Sequence, residues 1–155
     1  MSLEAQTALH GLFGTIFLLA FAGAAEVLWD LTPERLRRLK IGVSVMVLAV
    51  IIHDIWGTFI YQFYRASIPT SPRIIILASN RPWLHTLLME YKEFVGGFVP
   101  ILTIAALYVI FYYNRDLIDK RAVRLSILGL LTAAFIFAFI AFAAGAFITK
   151  FAPLG

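Results

Sequence analysis

The 155-residue sequence contains no cysteine. Disulfides, thiolate metal sites, iron–sulfur clusters, covalently attached c-type haem and thiol nucleophiles are therefore excluded. Charge is also scarce, because 14% of the residues are charged, whereas a soluble domain carries about 25%. A chain this short with 61% hydrophobic residues cannot hide them all in a water-soluble core. The composition indicates a membrane-integral protein.

Four long stretches are free of charge or nearly so, at 5–25, 41–64 (interrupted by Asp54), 94–114 and 125–149. A helix needs about 20 residues to cross the hydrocarbon of a bilayer, so each stretch predicts one spanning helix. The alternating segments of a membrane β-barrel are absent from the sequence. No cleavable signal peptide is apparent, so the first span is expected to remain. We predict an all-α, up-down-up-down transmembrane four-helix bundle, a single domain over 1–155.

Basic residues predict the orientation in the membrane. The segments that join spans 1–2 and 3–4 hold eight, namely Arg35, Arg37, Arg38, Lys40, Arg115, Lys120, Arg121 and Arg124. The opposite side holds five over a longer length, namely Arg65, Arg73, Arg81, Lys92 and Lys150. The positive-inside rule then places the short turns in the cytoplasm and both termini outside, in the inner membrane of a prokaryote. This interleaving of basic residues with apolar runs also argues against nucleic-acid binding.

The first turn is tight and sets the register between spans 1 and 2. Thr32 suits a helix N-cap, Pro33 the first helical position, and Glu34 the positive end of the helix dipole. A hairpin hinged there places Glu26 opposite Arg37 or Arg38. The other short turn covers 114–121. The long connection, 65–83, contains three prolines, and its apolar run 74–77 is expected to lie along the membrane surface.

Two of the three histidines occupy matching motifs. His10 and His53 are each followed by any residue, an aliphatic residue, an aromatic residue, glycine and threonine. The hairpin register places both at one depth inside the hydrocarbon. Each glycine, Gly14 or Gly57, lies four positions on, beneath its histidine on the same helix face, where it leaves room for a flat macrocycle. Two imidazoles at one depth are what a bis-histidine haem requires.

The aromatic residues of the two motifs, Phe13 and Trp56, are expected to touch such a cofactor. Helix packing and hydrogen bonding across the bundle are the alternative explanation of both motifs. A tight hairpin also starts its helices about 8–10 Å apart, so a haem between them requires the helices to splay, or a His53–His85 pair instead. His85 is a third candidate for a haem or metal ligand or an outer proton acceptor; otherwise it is an interfacial histidine that meets solvent or lipid.

The four-span plan and the motifs His10/Gly14 and His53/Gly57 resemble the small four-helix membrane b-type cytochromes. That group includes superoxide oxidase and the haem-bearing anchors of succinate dehydrogenase. The resemblance implies non-covalent haem b between helices and electron transfer with quinone, superoxide or a partner subunit. Members with two haems supply four ligands, whereas three histidines cannot build two bis-histidine haems in one chain. The alternatives are one haem per chain and a second haem shared across a dimer. Whether such a chain is an electron carrier or a small oxidoreductase stays open.

Charged and polar residues near the outer boundary are further candidates. If the haem stands upright with its propionates outward, Lys92, Arg65, Arg81, Tyr61 and Gln62 are candidate propionate partners; otherwise they snorkel to the interface. Asp54 is either a proton-uptake group or a carboxylate hydrogen-bonded within the bundle.

Two other functions compete with the cytochrome. The first is a proton-coupled channel or carrier that uses Asp54, His53, Glu90 and Lys92, and the second is a non-catalytic membrane anchor. A homodimer is compatible with each function, because small residues along the last span offer a packing surface. These residues are Ala133, Ala134, Ala138, Ala141, Ala144 and Gly145.

Overall fold

The computed structural model describes residues 3–152, and over this range the protein is built from helices without any strand. Its helices are α1 (Leu3–Trp29), α2 (Pro33–Tyr64), the short α3 (Pro72–Ala78), α4 (Glu90–Tyr113) and α5 (Arg121–Phe151). A π-helical turn, Leu84–Met89, leads into α4, and a 3-10 turn, Asn114–Ile118, leaves it.

Four helical stretches are long and apolar enough to cross a membrane, at Leu3–Trp29, Pro33–Tyr64, Leu84–Ile118 and Arg121–Phe151. Each contains one predicted span, so the predicted number and positions of the long apolar helices are confirmed. Large apolar side chains such as Leu19 and Phe94 remain 70% and 67% exposed on the outside of the bundle. A surface of this kind is compatible with an integral membrane protein.

Each long helix packs chiefly against two neighbours, since α1 and α4 both contact α2 and α5. Neighbouring helices run antiparallel, because Lys40 at the start of α2 bonds Asn114 at the end of α4 (2.6 Å), and Arg65 after α2 bonds Glu90 at the start of α4 (3.0 Å). We call the end with the two short turns the hairpin end, and the end that carries α3 the loop end.

The main core fills the half of the bundle towards the hairpin end. Its fully buried side chains come from α2, α4 and α5 and include Leu39, Val43, Met46, Ala106, Ile110, Ile127 and Leu131. A smaller apolar cluster at the loop end contains Tyr64, Ile76, Leu84, Met89, Ile148 and Ala152. The α3 segment contacts the Leu84–Met89 turn with one face inward, since Ile76 is fully buried while Ile75 and Leu77 are exposed, and its placement along the membrane surface stays a prediction.

The first turn has the predicted cap. The Thr32 hydroxyl accepts a hydrogen bond from the Arg35 backbone N–H (3.4 Å), and Pro33 occupies the first helical position. The prediction that Glu26 lies opposite Arg37 or Arg38 was wrong. Arg35 binds Glu26 (2.6 Å) and Asp30 (3.4 Å), whereas Arg37 and Arg38 are exposed. Because α2 already begins at Pro33, residue 35 lies on the face of its first turn nearest to α1.

The ion pairs of Arg35 with Glu26 and Asp30 are expected to contribute little to stability. Replacement Arg35→Gln should lower the free energy of unfolding by at most about 1 kcal/mol, because exposed ion pairs gain little over solvation by water. Denaturant titration of the detergent-solubilised protein measures the effect, with Arg37→Gln as the exposed control. A loss several times larger for Arg35→Gln would contradict the assignment of a surface pair.

Candidate functional site

The structure brings His10 of α1 and His53 of α2 together. Their imidazole rings stack face to face, with centroids 3.6 Å apart and planes 19° from parallel. Both residues are half-buried in the loop-end half of the bundle. The tight turn at Thr32 sets this register, because it leaves the two histidines at nearly equal distances from the hairpin end.

Each imidazole is held by the backbone of the other helix. His10 Nδ1 lies 3.0 Å from the carbonyl oxygen of His53, and His53 Nδ1 lies 2.9 Å from the carbonyl oxygen of His10. A carbonyl only accepts, so each Nδ1 carries a proton and donates it, and in the neutral ring Nε2 keeps its lone pair. Neither Nε2 has a hydrogen-bond partner in the described part of the chain. This is the ring state in which imidazole binds a metal through Nε2.

The glycines of the two motifs leave the space that the stacked imidazole rings occupy. A Cβ at Gly57 would lie 2.8 Å from Cε1 of His10, and a Cβ at Gly14 would lie 3.4 Å from Cε1 of His53. The space beside each glycine is therefore filled by the imidazole of the other motif. The sequence interpretation expected each glycine to leave room beneath the histidine of its own motif. It missed that each glycine contacts the histidine of the other motif, because it considered each helix separately.

Two side-chain polar atoms on the loop-end half of α2 are buried without a hydrogen bond, one at Trp56, three residues from His53, and one at Tyr61, about 12 Å along the helix from it. Trp56 Nε1 and the Tyr61 hydroxyl are the only buried side-chain polar atoms without a hydrogen bond among residues 3–152. Such atoms in a folded interior usually mark a missing water or ligand. Phe13, the aromatic residue of the first motif, is half-buried on α1.

Lys92 extends from α4 into the same region. Its side chain passes Gly145 of α5, where a Cβ would lie 3.1 Å from Lys92 Cε. Its charge acts on His10, His53 and Asp54. Within residues 3–152 its ammonium group makes no hydrogen bond and no ion pair within 4 Å. The sequence contained no signal for the Lys92–Gly145 contact, because it depends on how α4 and α5 are rotated.

Arg65, predicted as a propionate partner, lies at the loop end, about 18 Å along α2 from His53. It pairs with Glu90 (3.0 Å) and covers the Tyr61 ring at 4.7 Å. Arg81 lies over the Phe151 ring at 5.7 Å, and Gln62 is exposed on α2. Of the predicted propionate partners, Lys92 is the one whose charge acts on both histidines.

His85 belongs to a separate polar cluster at the loop end. Arg73 Nε donates to His85 Nε2 (3.1 Å), so the Nδ1 of the neutral ring carries the proton and donates to the Tyr64 hydroxyl (3.0 Å). Tyr64 lies about 16 Å along α2 from His53, so the structure does not bring His53 and His85 together. With 5% exposure, His85 is buried under α3 rather than facing lipid.

The donor set suits a haem better than a carboxylate metal centre. Among residues 3–152 no group of three or more His, Asp or Glu side chains is placed to hold a metal ion. Two imidazoles with Nε2 unpartnered and a buried Trp56 Nε1 without a hydrogen bond fit a bis-imidazole haem in chemistry. The stack itself does not, because the two ring faces lie against each other 3.6 Å apart, and the rings would have to separate before both Nε2 atoms could bind one iron.

Comparisons with known proteins add no family to this description. The chain matches no protein-family model, no curated protein and no solved structure. The functional argument therefore rests on the geometry of the histidine pair and its surroundings.

Proposed function

We propose that this chain is an integral membrane b-type cytochrome that binds one non-covalent haem through His10 and His53 and transfers electrons. The observation that carries the proposal is the reciprocal histidine pair, in which each Nδ1 donates to the other helix and leaves Nε2 unpartnered. Ionisable groups within a membrane span are seldom retained without a function. The resemblance of the two motifs to membrane b-type cytochromes supports the same proposal.

The residues that would hold the haem come from three helices. His10 and His53 would each supply an imidazole Nε2, Phe13 and Trp56 would lie beside the haem, and Lys92 would offer a positive charge to a propionate. Haem supplies one-electron chemistry when bound. The chain's own contribution is to hold both imidazoles at one depth and to keep their Nδ1 atoms protonated, which leaves the lone pair of each neutral ring on Nε2. The electron partner is a quinone, superoxide or a redox partner protein.

The excess of basic residues at the hairpin end supports a cytoplasmic location for the two short turns. Lipid covers the exposed apolar side chains of the four long helices. The homodimer stays a prediction, but fewer small residues of α5 are free to form its interface. Ala134 and Ala144 are buried within one chain, and Gly145 lies against Lys92. The rest of the small-residue face, at Ala133, Ala138 and Ala141, is half-buried.

The visible spectrum of the detergent-purified protein, air-oxidised and then dithionite-reduced, tests the proposal. We expect a sharp reduced α band, no shift with carbon monoxide, and one haem per chain. A protein that stays colourless when haem is supplied during expression would refute it. The proton-coupled carrier and the anchor subunit would then remain, and pH-dependent flux into vesicles would separate them.

A further inference from the structure

A cavity of about 250 Å³ lies between α1 and α5 at the hairpin end of the bundle. It is remote from the histidine pair, because Leu28 in its wall lies about 27 Å along α1 from His10. Its volume is several times the roughly 30 Å³ that one water takes up in the liquid, so it has room for a larger group. Two arginines, one tryptophan and three leucines line it, namely Leu28, Trp29, Arg121, Arg124, Leu125 and Leu128.

The packing of α1 on α5 places the apolar part of this cavity deeper in the bundle than its arginines. Phe21 of α1 stacks on Phe135 of α5, with ring centroids 4.5 Å apart. About two helical turns further towards the hairpin end, the antiparallel helices bring Leu28 opposite Leu128, and both line the cavity. Arg121 lies about two turns further still, because it is the first residue of α5. The cavity therefore has leucines on its inner side and a basic rim.

The two arginines share a face of α5 and have no acidic partner. Arg121 and Arg124 are three positions apart, and Leu125 and Leu128 continue the same face. The ion pairs of the described residues all use other cations, so no carboxylate within residues 3–152 lies within 4 Å of either guanidinium group. Two unpaired positive charges at one cavity are complementary to an anion.

Arg124 is held in position by the backbone. Its Nη1 donates to the Leu117 carbonyl (3.0 Å) and to the Ile118 carbonyl, at the end of the 3-10 turn that precedes α5. In the part of the chain that the structure describes, Nε and Nη2 of Arg124 have no hydrogen-bond partner. An arginine that only snorkels to the interface is not anchored in this way. Because the group is already ordered, less conformational entropy is lost when it binds a ligand.

The other residues of the cavity favour a lipid over a free phosphate. Trp29 is 73% exposed at the end of α1, and tryptophan prefers the headgroup level of a bilayer. Leu125, one turn deeper than Arg121, is 48% exposed and offers apolar surface to the first carbons of an acyl chain. Basic pockets between membrane spans are typical binding sites for anionic lipid headgroups.

We propose that the cavity between α1 and α5 binds one anionic phospholipid of the leaflet at the hairpin end, with its phosphate on Arg121 and Arg124. The glycerol region lies against Trp29 and the leucines, and the acyl chains follow the exposed apolar surface of the two helices. A zwitterionic phospholipid binds more weakly, because its ammonium group would lie near the same two arginines. The proposal goes beyond the cytochrome function and does not depend on it.

A second groove at the same end, between α2 and α4, supplies a matched control. Its volume is about 280 Å³, and its one cation is Lys40. The Lys40 ammonium group is already bonded to Asn114 Oδ1 (2.6 Å) and lies 5.0 Å from the centroid of the Phe111 ring. Since this cation is engaged within the protein, the groove should show no preference for an anionic lipid.

Native mass spectrometry of the detergent-purified protein, titrated with phosphatidylglycerol or phosphatidylcholine of the same acyl chains, tests the site. Arg121→Gln is the principal variant, because this exposed side chain makes no hydrogen bond or ion pair within residues 3–152 and the fold does not depend on it. Lys40→Gln is the control with the same loss of charge at the same end. Inorganic phosphate is added as a competitor to separate a lipid site from a phosphate site.

We expect the first phosphatidylglycerol to bind at least about tenfold more tightly than phosphatidylcholine, and Arg121→Gln to lower its affinity about tenfold, because a charge-assisted hydrogen bond is lost. Lys40→Gln should leave the affinity unchanged, and inorganic phosphate should not displace the lipid. Equal affinities for the two lipids, no effect of Arg121→Gln, an equal loss in Lys40→Gln or displacement by inorganic phosphate would each overturn the proposal.

Trp29 fluorescence locates the lipid without a change to either arginine. The probe is phosphatidylglycerol brominated near the headgroup end of its acyl chains, diluted into phosphatidylcholine bilayers that contain the protein. The wild-type chain should show saturable quenching that Trp29→Phe loses, because Trp56 and Trp83 lie in the loop-end half of the bundle. Equal quenching in the two proteins would place the lipid elsewhere and contradict the assignment. Neither experiment depends on bound haem, so both can fail while the cytochrome function stands, and the reverse.

Discussion

The variants His10→Ala and His53→Ala are each expected to lose haem, with retention lowered at least about tenfold, since removal of only an outer-shell partner already costs about 10–100-fold in metal affinity. Each ring is bonded to the backbone carbonyl of the other histidine, which alanine keeps, so either substitution removes one ligand and the ring stack but not the hydrogen bond of the ring that remains. Haem per chain in the purified protein, measured after supplying haem during expression, gives the magnitude.

The spectrum separates loss of a ligand from general misfolding. Haem that remains in either variant should bind carbon monoxide, because one axial position is open, and added imidazole should restore the six-coordinate spectrum. His85→Gln is the matched control. Both ring nitrogens of His85 are engaged by Tyr64 and Arg73, so this variant should keep one haem per chain and show no shift with carbon monoxide. If His85→Gln loses haem as His10→Ala does, the assignment of the ligand pair is wrong.

The predicted features that the structure confirms are those fixed along the chain or by one short turn. Long charge-free runs locate the four apolar helices because a helix rises by a constant amount per residue. The meeting of His10 and His53 follows from the hinge at Thr32–Pro33, since a tight turn leaves little freedom in the register of the helices it joins. Depth along a helix is therefore predictable from sequence when the turn is short.

Rotation about the helix axis and contacts across long connections are not predictable in the same way. When a helix is apolar on all sides, the distribution of its apolar residues does not show which face points inward. The sequence therefore gave no indication that Lys92 approaches Gly145. His85 illustrates the second difficulty. Its partner Arg73 lies on α3, and the three prolines of the long connection gave no indication that this short helix folds back over Tyr64.

Gly57 is expected to tolerate even a methyl group poorly. In Gly57→Ala the new Cβ would lie 2.8 Å from Cε1 of His10, and the imidazole cannot move away freely because it stacks on His53 and its Nδ1 is bonded to the His53 carbonyl. Overpacking of this kind costs about 1–3 kcal/mol. Unfolding of the detergent-solubilised protein by heat or SDS measures the loss, and haem per chain should fall with it.

Two glycines of α1, Gly14 and Gly11, complete a graded series with Gly57 of α2. Gly14→Ala places its Cβ 3.4 Å from His53 and from Phe142, a contact that small shifts relieve, so its effect should be smaller than that of Gly57→Ala. Gly11→Ala meets nothing within 4 Å and should be neutral or stabilising by up to about 1 kcal/mol, because alanine favours helix more than glycine does. The order Gly57 > Gly14 > Gly11 in the loss of stability distinguishes a reciprocal histidine contact from general intolerance of glycine replacement. Equal losses at Gly57 and Gly11 would contradict that contact.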